Sequence, residues 1–323
     1  MLITTVGNYP KIAEGPEGQK LRRVINRFDK GDVTGEELAR VEDEVTREVI
    51  QEQEEVGLEM VTDGMVRWND GQTYLARRVE GFHLSGLLRY FDTNTYYRQP
   101  VATGPLRWPG PMTVRDYRFA AGCTSLPVKA ILTGPYTLAK LSRSEHHPDL
   151  ARFALDLADI IRQEAQALEG EGVPLLQIDE PAIVRHKEDW GLFQQVMARL
   201  TDGLSVKRVL YTWFGDATEL PGFTRLPFHG FGLDFVGGPA NFDLLDDFPE
   251  DAELGLGIMD ARNVKLESVD YLSQTLQRVT AHVSPDRIYL NPSCGLDYLP
   301  RDVAVAKLKR LVEGAGAFKA VVT

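Results

Sequence analysis

The chain has 323 residues, of which 43% are hydrophobic, 26% charged and 9% aromatic. That balance belongs to a globular protein and excludes disordered, collagen-like and disulfide-scaffold classes. Acidic side chains outnumber basic ones 47 to 36, for a formal charge of −11, so the dense cationic surface that binds phosphate backbones is missing and no nucleic-acid partner is expected.

Cys123 and Cys294 are too few for a disulfide framework. No apolar run approaches the roughly 20 residues of a membrane-spanning helix. The opening MLITTVGNYPK has no basic stretch followed by an apolar one, as a secretory signal would. The expected setting is the cytoplasm and the expected partner a small molecule; composition says nothing of oligomeric state.

In chain order, residues 2–6 read as a first strand. A helix follows, opened by Thr34-Gly35-Glu36-Glu37 as a capping box, with Leu38, Val41, Val45 and Val49 on one face and Gly57 as its stop. Residues 58–62 read as a second strand. Residues 83–127, rich in Tyr, Pro, Gly and Arg, form a long insertion expected to fold as a hairpin or lid. A strand at 128–132 precedes a helix opened by Pro148-Asp149. Strands follow at 175–178, 208–211, 233–236, 254–258 and 288–290, with helical spacing near 190–200, 266–282 and 301–312.

These apolar runs are continuous rather than alternating, the pattern of parallel strands buried on both faces. Eight strands with intervening helices predict one (β/α)8 TIM barrel over 1–323, with the insertion between strands two and three. A doubly wound open sheet competes, but no Gly-rich dinucleotide fingerprint follows the first strand.

In a barrel, chemistry collects where strands run into their following loops. Asp179 and Glu180, in LLQIDEPAI, are two carboxylates directly after a buried strand, a costly placement unless they are paired or functional. One suits a ligand ammonium or a proton, and the other suits anchoring a neighbouring loop. Asp260 and Arg262, in GIMDARN, read as a strand-end ion pair with Glu267, equally a clamp or a ligand contact. Of Asp63 and Asp70, one is expected to line the mouth and the other to cap a helix. Cys294, in LNPSCGLDY, is placed for metal ligation or nucleophilic work, whereas Cys123 reads as structural. His146 and His147 read as exposed residues before a helix, and His229 as a loop residue within reach of a site. No HxH, HExxH, CxxC, Walker or GxSxG spacing occurs.

Taken in order, ITTVGNYPK, GLEMVTDGMVRWND, VKAILTGPYTLAK, LLQIDEPAI, GIMDARN and LNPSCGL resemble the catalytic C-terminal barrel of cobalamin-independent methionine synthases, in the short single-domain form. The resemblance implies methyl transfer from a methyltetrahydrofolate-type donor to a thiol held by zinc. It also implies a ligand set of His-x-Cys after the fifth strand, Glu after the sixth and Cys after the eighth. Cys294 retains the last ligand. The His-x-Cys falls on Tyr211-Thr212-Trp213 and the Glu on Gly237-Gly238-Pro239, so every other ligand is replaced and the family's zinc site is not expected. The glutamate that meets the substrate ammonium falls on Met65; Asp179 matches the family's amino-group contact; Asn8 replaces a small hydroxyl residue.

The expected catalytic residues are therefore Asp179, Cys294 and Asp260. The expected substrate contacts are Asn8, Asp63, Met65, Asp70, Thr133, Glu180, Tyr211 and Trp213. The leading reading is a divergent methyltransferase, with either a zinc site rebuilt from Cys294, Asp216, His229 or Asp260 or a metal-free mechanism. The alternatives are a metal-free barrel lyase resembling uroporphyrinogen decarboxylase, and a non-catalytic small-molecule binder.

Overall fold

The computed structural model describes residues 1–322. Its strands, in chain order, are β1 (Leu2–Ile3), β2 (Glu80–Arg89), β3 (Tyr96–Arg107), β4 (Ala130–Thr133), β5 (Arg143–Ser144), β6 (Leu176–Asp179), β7 (Arg208–Tyr211), β8 (Gly230–Asp234), β9 (Glu253–Met259) and β10 (Ile288–Pro292). By internal contacts the chain divides into two units. One holds Met1–Arg67, Arg118–Val128 and Leu256–Thr323; the other holds Trp68–Tyr117 and Lys129–Gly255.

In the first unit β1 pairs in parallel with β10, Leu2 opposite Tyr289 and Ile3 opposite Leu290. The helix Gly35–Glu55 begins as its sequence predicts, with the Glu37 amide donating to Thr34 Oγ1 at 3.2 Å, while Val41, Val45 and Val49 are buried. The reciprocal half of the capping box differs: the Glu37 carboxylate turns to Arg27 Nη1 at 3.2 Å. Gly57, at φ +93°, ends the helix in a conformation that disfavours any side chain.

The strand expected at 58–62 shrinks to one parallel bridge between Val61 and Val128. The cause is local. The Gln53 side chain accepts from the Thr62 amide at 3.0 Å and donates to the Thr62 carbonyl at 2.9 Å, taking the groups a ladder would use.

In the second unit β4, β6, β7 and β8 are successive parallel neighbours. Their register sets Thr133, Asp179, Tyr211 and Gly232 in one row across the strands. The helix Leu150–Gly170 is capped by Asp149, which accepts from the Arg152 amide at 2.8 Å, and buries Phe153, Leu157 and Ile161. Each such side chain contributes about 1.5–3 kcal/mol by leaving water. The strand expected at 233–236 instead spans Gly230–Asp234, because Asp234 Oδ1 accepts from the Val236 and Gly237 amides and turns the chain.

The insertion contains an antiparallel hairpin of β2 and β3, interrupted by register shifts, with β5 added in parallel to β3. Behind the hairpin, the fully buried Glu164 accepts from Trp108 Nε1 at 2.8 Å and from the Met112 and Thr113 amides, the latter at 2.7 Å. This carboxylate anchors the end of the insertion to the helix Leu150–Gly170.

Residues of β9 belong to both units, and Lys129 alone separates Val128 from β4 in the chain. The succession β1, Val61, β4, β6, β7, β8, β9 and β10 is the (β/α)8 strand pattern of a TIM barrel, as expected. After β7 and β8 the chain forms only short 3-10 turns, Phe223–Arg225 and Pro239–Leu245, in place of full helices. Among the described residues no helix is long and apolar enough to cross a membrane.

Candidate active site

In the second unit, the row Thr133–Asp179–Tyr211 gathers expected residues from three strand ends. Gly134 N donates to the Asp179 carbonyl at 2.8 Å, and Glu180 N to the Tyr211 carbonyl at 2.8 Å, so these ends are locked together. Thr133 Oγ1 donates to the Gly71 carbonyl at 3.0 Å, which brings the Asp70 loop to the same place. Asp70 itself is the helix cap, its Oδ1 accepting from the Gln72 amide at 2.9 Å and the Thr73 amide at 2.6 Å.

The two adjacent carboxylates have different tasks. Glu180 is fully buried and accepts from the Tyr136 and Thr137 amides at 2.9 and 2.7 Å, holding the start of the helix Pro135–Lys140. Gly134 is required there, since a β-carbon on it would collide with that carboxylate. Burial pushes Glu180 up to about 8 against the pull of these donors.

Asp179 accepts from Gln177 Nε2 at 2.6 Å. Burial pushes it up to about 7, with Gln177 and then Lys129 opposing. Lys129 is only 2% exposed and is itself brought down to about 7 by burial, with Asp179 opposing. Its Nζ lies 5.1 Å from the centre of the Tyr211 ring. A carboxyl, an amine and a phenol ring thus share the interior of this unit.

Tyr211 fits because its neighbours have no side chains. A β-carbon on Gly232 would approach the Tyr211 ring under 3.0 Å, and one on Gly255 would fall 2.6 Å from Tyr211 Cζ. Trp213 is also buried and meets Phe214 edge to face at 6.3 Å. Phe214 holds φ +70°, a strained conformation for an aromatic residue, secured by its amide donating to Asp234 Oδ2 at 3.0 Å.

In the first unit, Asn8, Asp63, Met65, Asp260 and Cys294 also lie at strand ends or in the loops after them. The Asn8 carbonyl accepts from the Leu296 amide at 2.8 Å, and the Tyr9 amide donates to the Gly64 carbonyl at 3.1 Å. Those bonds bring the Asn8, Met65 and Cys294 loops together. Met65 holds φ +50°, with its amide donated to Asp63 Oδ1 at 2.9 Å. Cys294 is 1% exposed and carries no disulfide. Asp260 Oδ1 accepts from the Arg262 amide at 2.8 Å, while the Glu267 carboxylate pairs with the buried Lys307 at 3.0 Å.

The histidine expectations need correction. His147 has only 3% of its side chain exposed and lies 3.2 Å from Asp156, because its ring packs on Phe153. His229 precedes β8, at the amino end of the strand, where Nδ1 meets the Arg208 amide at 3.2 Å; that is the end opposite the strand mouths. Three chemically notable residues escaped the sequence reading. Lys129 was signalled only by a charge inside the apolar run VKAIL, Asp234 by an acid inside LDFV, and Asp297 by its place two residues after the glycine of PSCG.

The zinc implied by the resemblance does not fit these residues. Zinc takes thiolate, imidazole and carboxylate donors in a tetrahedral set. Tyr211 and Trp213 offer a phenol and an indole, and the Tyr211 ring fills the space above two glycines. Among the described residues no group of three or more His, Cys, Asp or Glu side chains is placed to hold a metal ion.

Comparison with known proteins fits this geometry. The sequence profile described as the catalytic domain of cobalamin-independent synthase matches residues 1–199 and 229–317. The chain belongs to the cobalamin-independent methionine synthase family. The methionine synthase of Sulfolobus acidocaldarius is 31% identical, with 96% of this chain and 90% of that protein covered. That of Saccharolobus solfataricus is 30% identical, over 96% and 92%. Among solved structures, a B12-independent methionine synthase from a Shewanella species, in complex with selenomethionine, superposes with a TM-score of 0.84 at 22% identity, covering 100% of this chain and 99% of the other. A putative vitamin-B12-independent methionine synthase from Listeria monocytogenes gives 0.76 at 17% identity, over 98% of each chain. These structural likenesses establish the barrel fold. The family match lapses over 200–228, the stretch that contains β7, Tyr211, Thr212 and Trp213.

Proposed function

We propose that the protein is a methyltransferase that moves a methyl group from a folate-type donor to a thiol, without the metal site its family implies. Family membership supports the reaction class. The lapse of the family match at 200–228, together with Tyr211 packed on Gly232 and Gly255, supports the departure from the metal. In the reaction the acceptor sulfur attacks the methyl carbon and an S–C bond forms. The donor's N–CH3 bond breaks, and the proton given up by the thiol balances the nitrogen left behind.

The observation that carries the reading is Asp179, at the end of β6 within the family segment LLQIDEPAI. Its carboxyl is brought to about 7 by burial, so near neutral pH it can both take and return a proton. Removal of a positioned acid–base group costs about 10²–10⁴-fold in rate. Methyl transfer from 5-methyltetrahydrofolate to L-homocysteine, followed by methionine formation, is therefore expected to fall by about that factor in Asp179→Asn with the fold retained by circular dichroism. Equal turnover by the variant and the unaltered protein would refute the role given to Asp179.

A further inference from the structure

The hairpin of β2 and β3 takes no part in the chemistry proposed above, and β2 is its open side. The small sheet runs β2, β3, β5, so among the described residues no strand pairs with the other edge of β2. Its pairing with β3 decides which groups lie on that edge. The Tyr90 amide donates to the Thr95 carbonyl at 3.0 Å, just past the end of β2. Alternation along an antiparallel ladder then turns the backbone of Arg89 and Leu87 away from β3. The opposing residues of β3 agree. Arg98, opposite Leu87, gives its amide to Thr73 Oγ1 at 3.1 Å. Pro100, opposite Leu84, has no amide to give, and Ala102, opposite Phe82, has its carbonyl taken by the Glu145 amide at 2.8 Å. Phe82, Leu84, Leu87 and Arg89 therefore hold their own N–H and C=O groups toward the open side.

Those four positions are spaced by two, three and two residues, a pattern that is the same in either direction. An antiparallel copy of the strand therefore meets it in register, Phe82 opposite Arg89 of the second copy and Leu84 opposite Leu87. The irregularity between Leu84 and Leu87 then falls on the two-fold axis and is shared by both strands. We propose that β2 is the interface of a two-fold dimer, in which the β2 strands of two copies of this chain pair edge to edge and their hairpins form one sheet. Charge and composition select a second copy as the occupant. Glu80 and Arg89 are the acid and the strong base of the strand and stand at opposite ends, so antiparallel pairing brings each toward the opposite sign. Arg89 meets neutral groups in its own turn, the Thr93 and Asp92 carbonyls and Asn94 Oδ1 at 3.3 Å, and its charge stays available. Residues 81–88 contain no Lys, Arg, Asp, Glu or Pro, the residues that blunt an edge kept for solvent, and Leu87 is 61% exposed. In such strand additions the main-chain bonds supply affinity and the side chains fix the register.

The test is sedimentation velocity on the full chain across a range of micromolar concentrations. The unaltered protein is expected to sediment as a species of twice the 36.1 kDa chain mass. Leu87→Pro removes an amide that β3 does not use and follows a glycine, so the hairpin tolerates it while the pairing loses a bond beside the axis. In that variant the dissociation constant is expected to rise about tenfold or more, with the circular dichroism spectrum unchanged. Glu80→Arg sets like charges together at both ends and is expected to weaken the dimer several-fold; adding Arg89→Glu is expected to restore the association. A chain that sediments at 36.1 kDa throughout would overturn the proposal. So would a dimer unmoved by Leu87→Pro and by Glu80→Arg, whose contact must lie on another face. Assemblies larger than two chains would overturn it as well, since they require edge addition without the two-fold axis.

Discussion

Replacing Gly232 with alanine tests whether the Tyr211 ring fills the barrel interior. The three atoms nearest an added β-carbon all belong to that ring, Cγ, Cδ1 and Cε1, each inside 3.0 Å. Tyr211 is 3% exposed and cannot swing into water, so the strain must be absorbed by the packed core. Overpacking of this kind costs about 1–3 kcal/mol. Tyr211→Ala alone removes a buried ring and is expected to cost about 3–5 kcal/mol through the cavity it leaves. In the double variant the new methyl group enters that cavity, so the cost of Gly232→Ala is expected to vanish or reverse. Urea unfolding of the four proteins gives the coupling directly, expected at about 1–3 kcal/mol. An equal cost of Gly232→Ala with and without the Tyr211 side chain would refute the packing, and with it the proposal that Tyr211 leaves no room for a metal.

Two further outcomes follow from the buried ionisable groups. Burial holds Asp179 above its ordinary 3.8, at about 7, so folding stability is full below the lower value and declines as pH rises through the upper one. Lys129→Met removes an opposing charge, and the decline, like the acidic limb of any activity dependent on the Asp179 carboxylate, is expected to extend to higher pH; superimposable pH profiles would contradict the pairing. Glu164→Ala strips the Trp108, Met112 and Thr113 donors of their acceptor and is expected to cost about 3–5 kcal/mol, with proteolytic cleavage appearing first near residues 108–113; cleavage confined to other loops would show that the insertion is anchored elsewhere.

The barrel was legible because most of its strands are short apolar runs and its helices Gly35–Glu55 and Leu150–Gly170 open on readable caps, at Thr34 and Asp149. What failed to show were the places where a side chain replaces a backbone partner. Gln53 dissolves most of the strand at 58–62, and Asp234 ends β8 early; both acts depend on long-range or turn geometry that local pattern does not carry. Asp179 was visible as a carboxylate after a buried strand. Lys129 was less so, because its significance lies in its charge interaction with Asp179 and its approach to the Tyr211 ring from the position just before β4. Glu180 and Asp70 drew attention by type, and the structure gives both of them the work of holding helix starts. The pairing of Tyr211 with Gly232 and Gly255 was hidden, since glycine in a strand signals a close approach without saying what approaches.

We propose methyl transfer in a family barrel whose metal position Tyr211 closes. Its most direct test is elemental analysis of the purified protein after zinc loading and dialysis, paired with the methylfolate–homocysteine assay with and without a chelator. Zinc well below one equivalent per chain and turnover indifferent to the chelator are expected. One tightly held equivalent, lost together with activity in Cys294→Ala, would contradict the proposal.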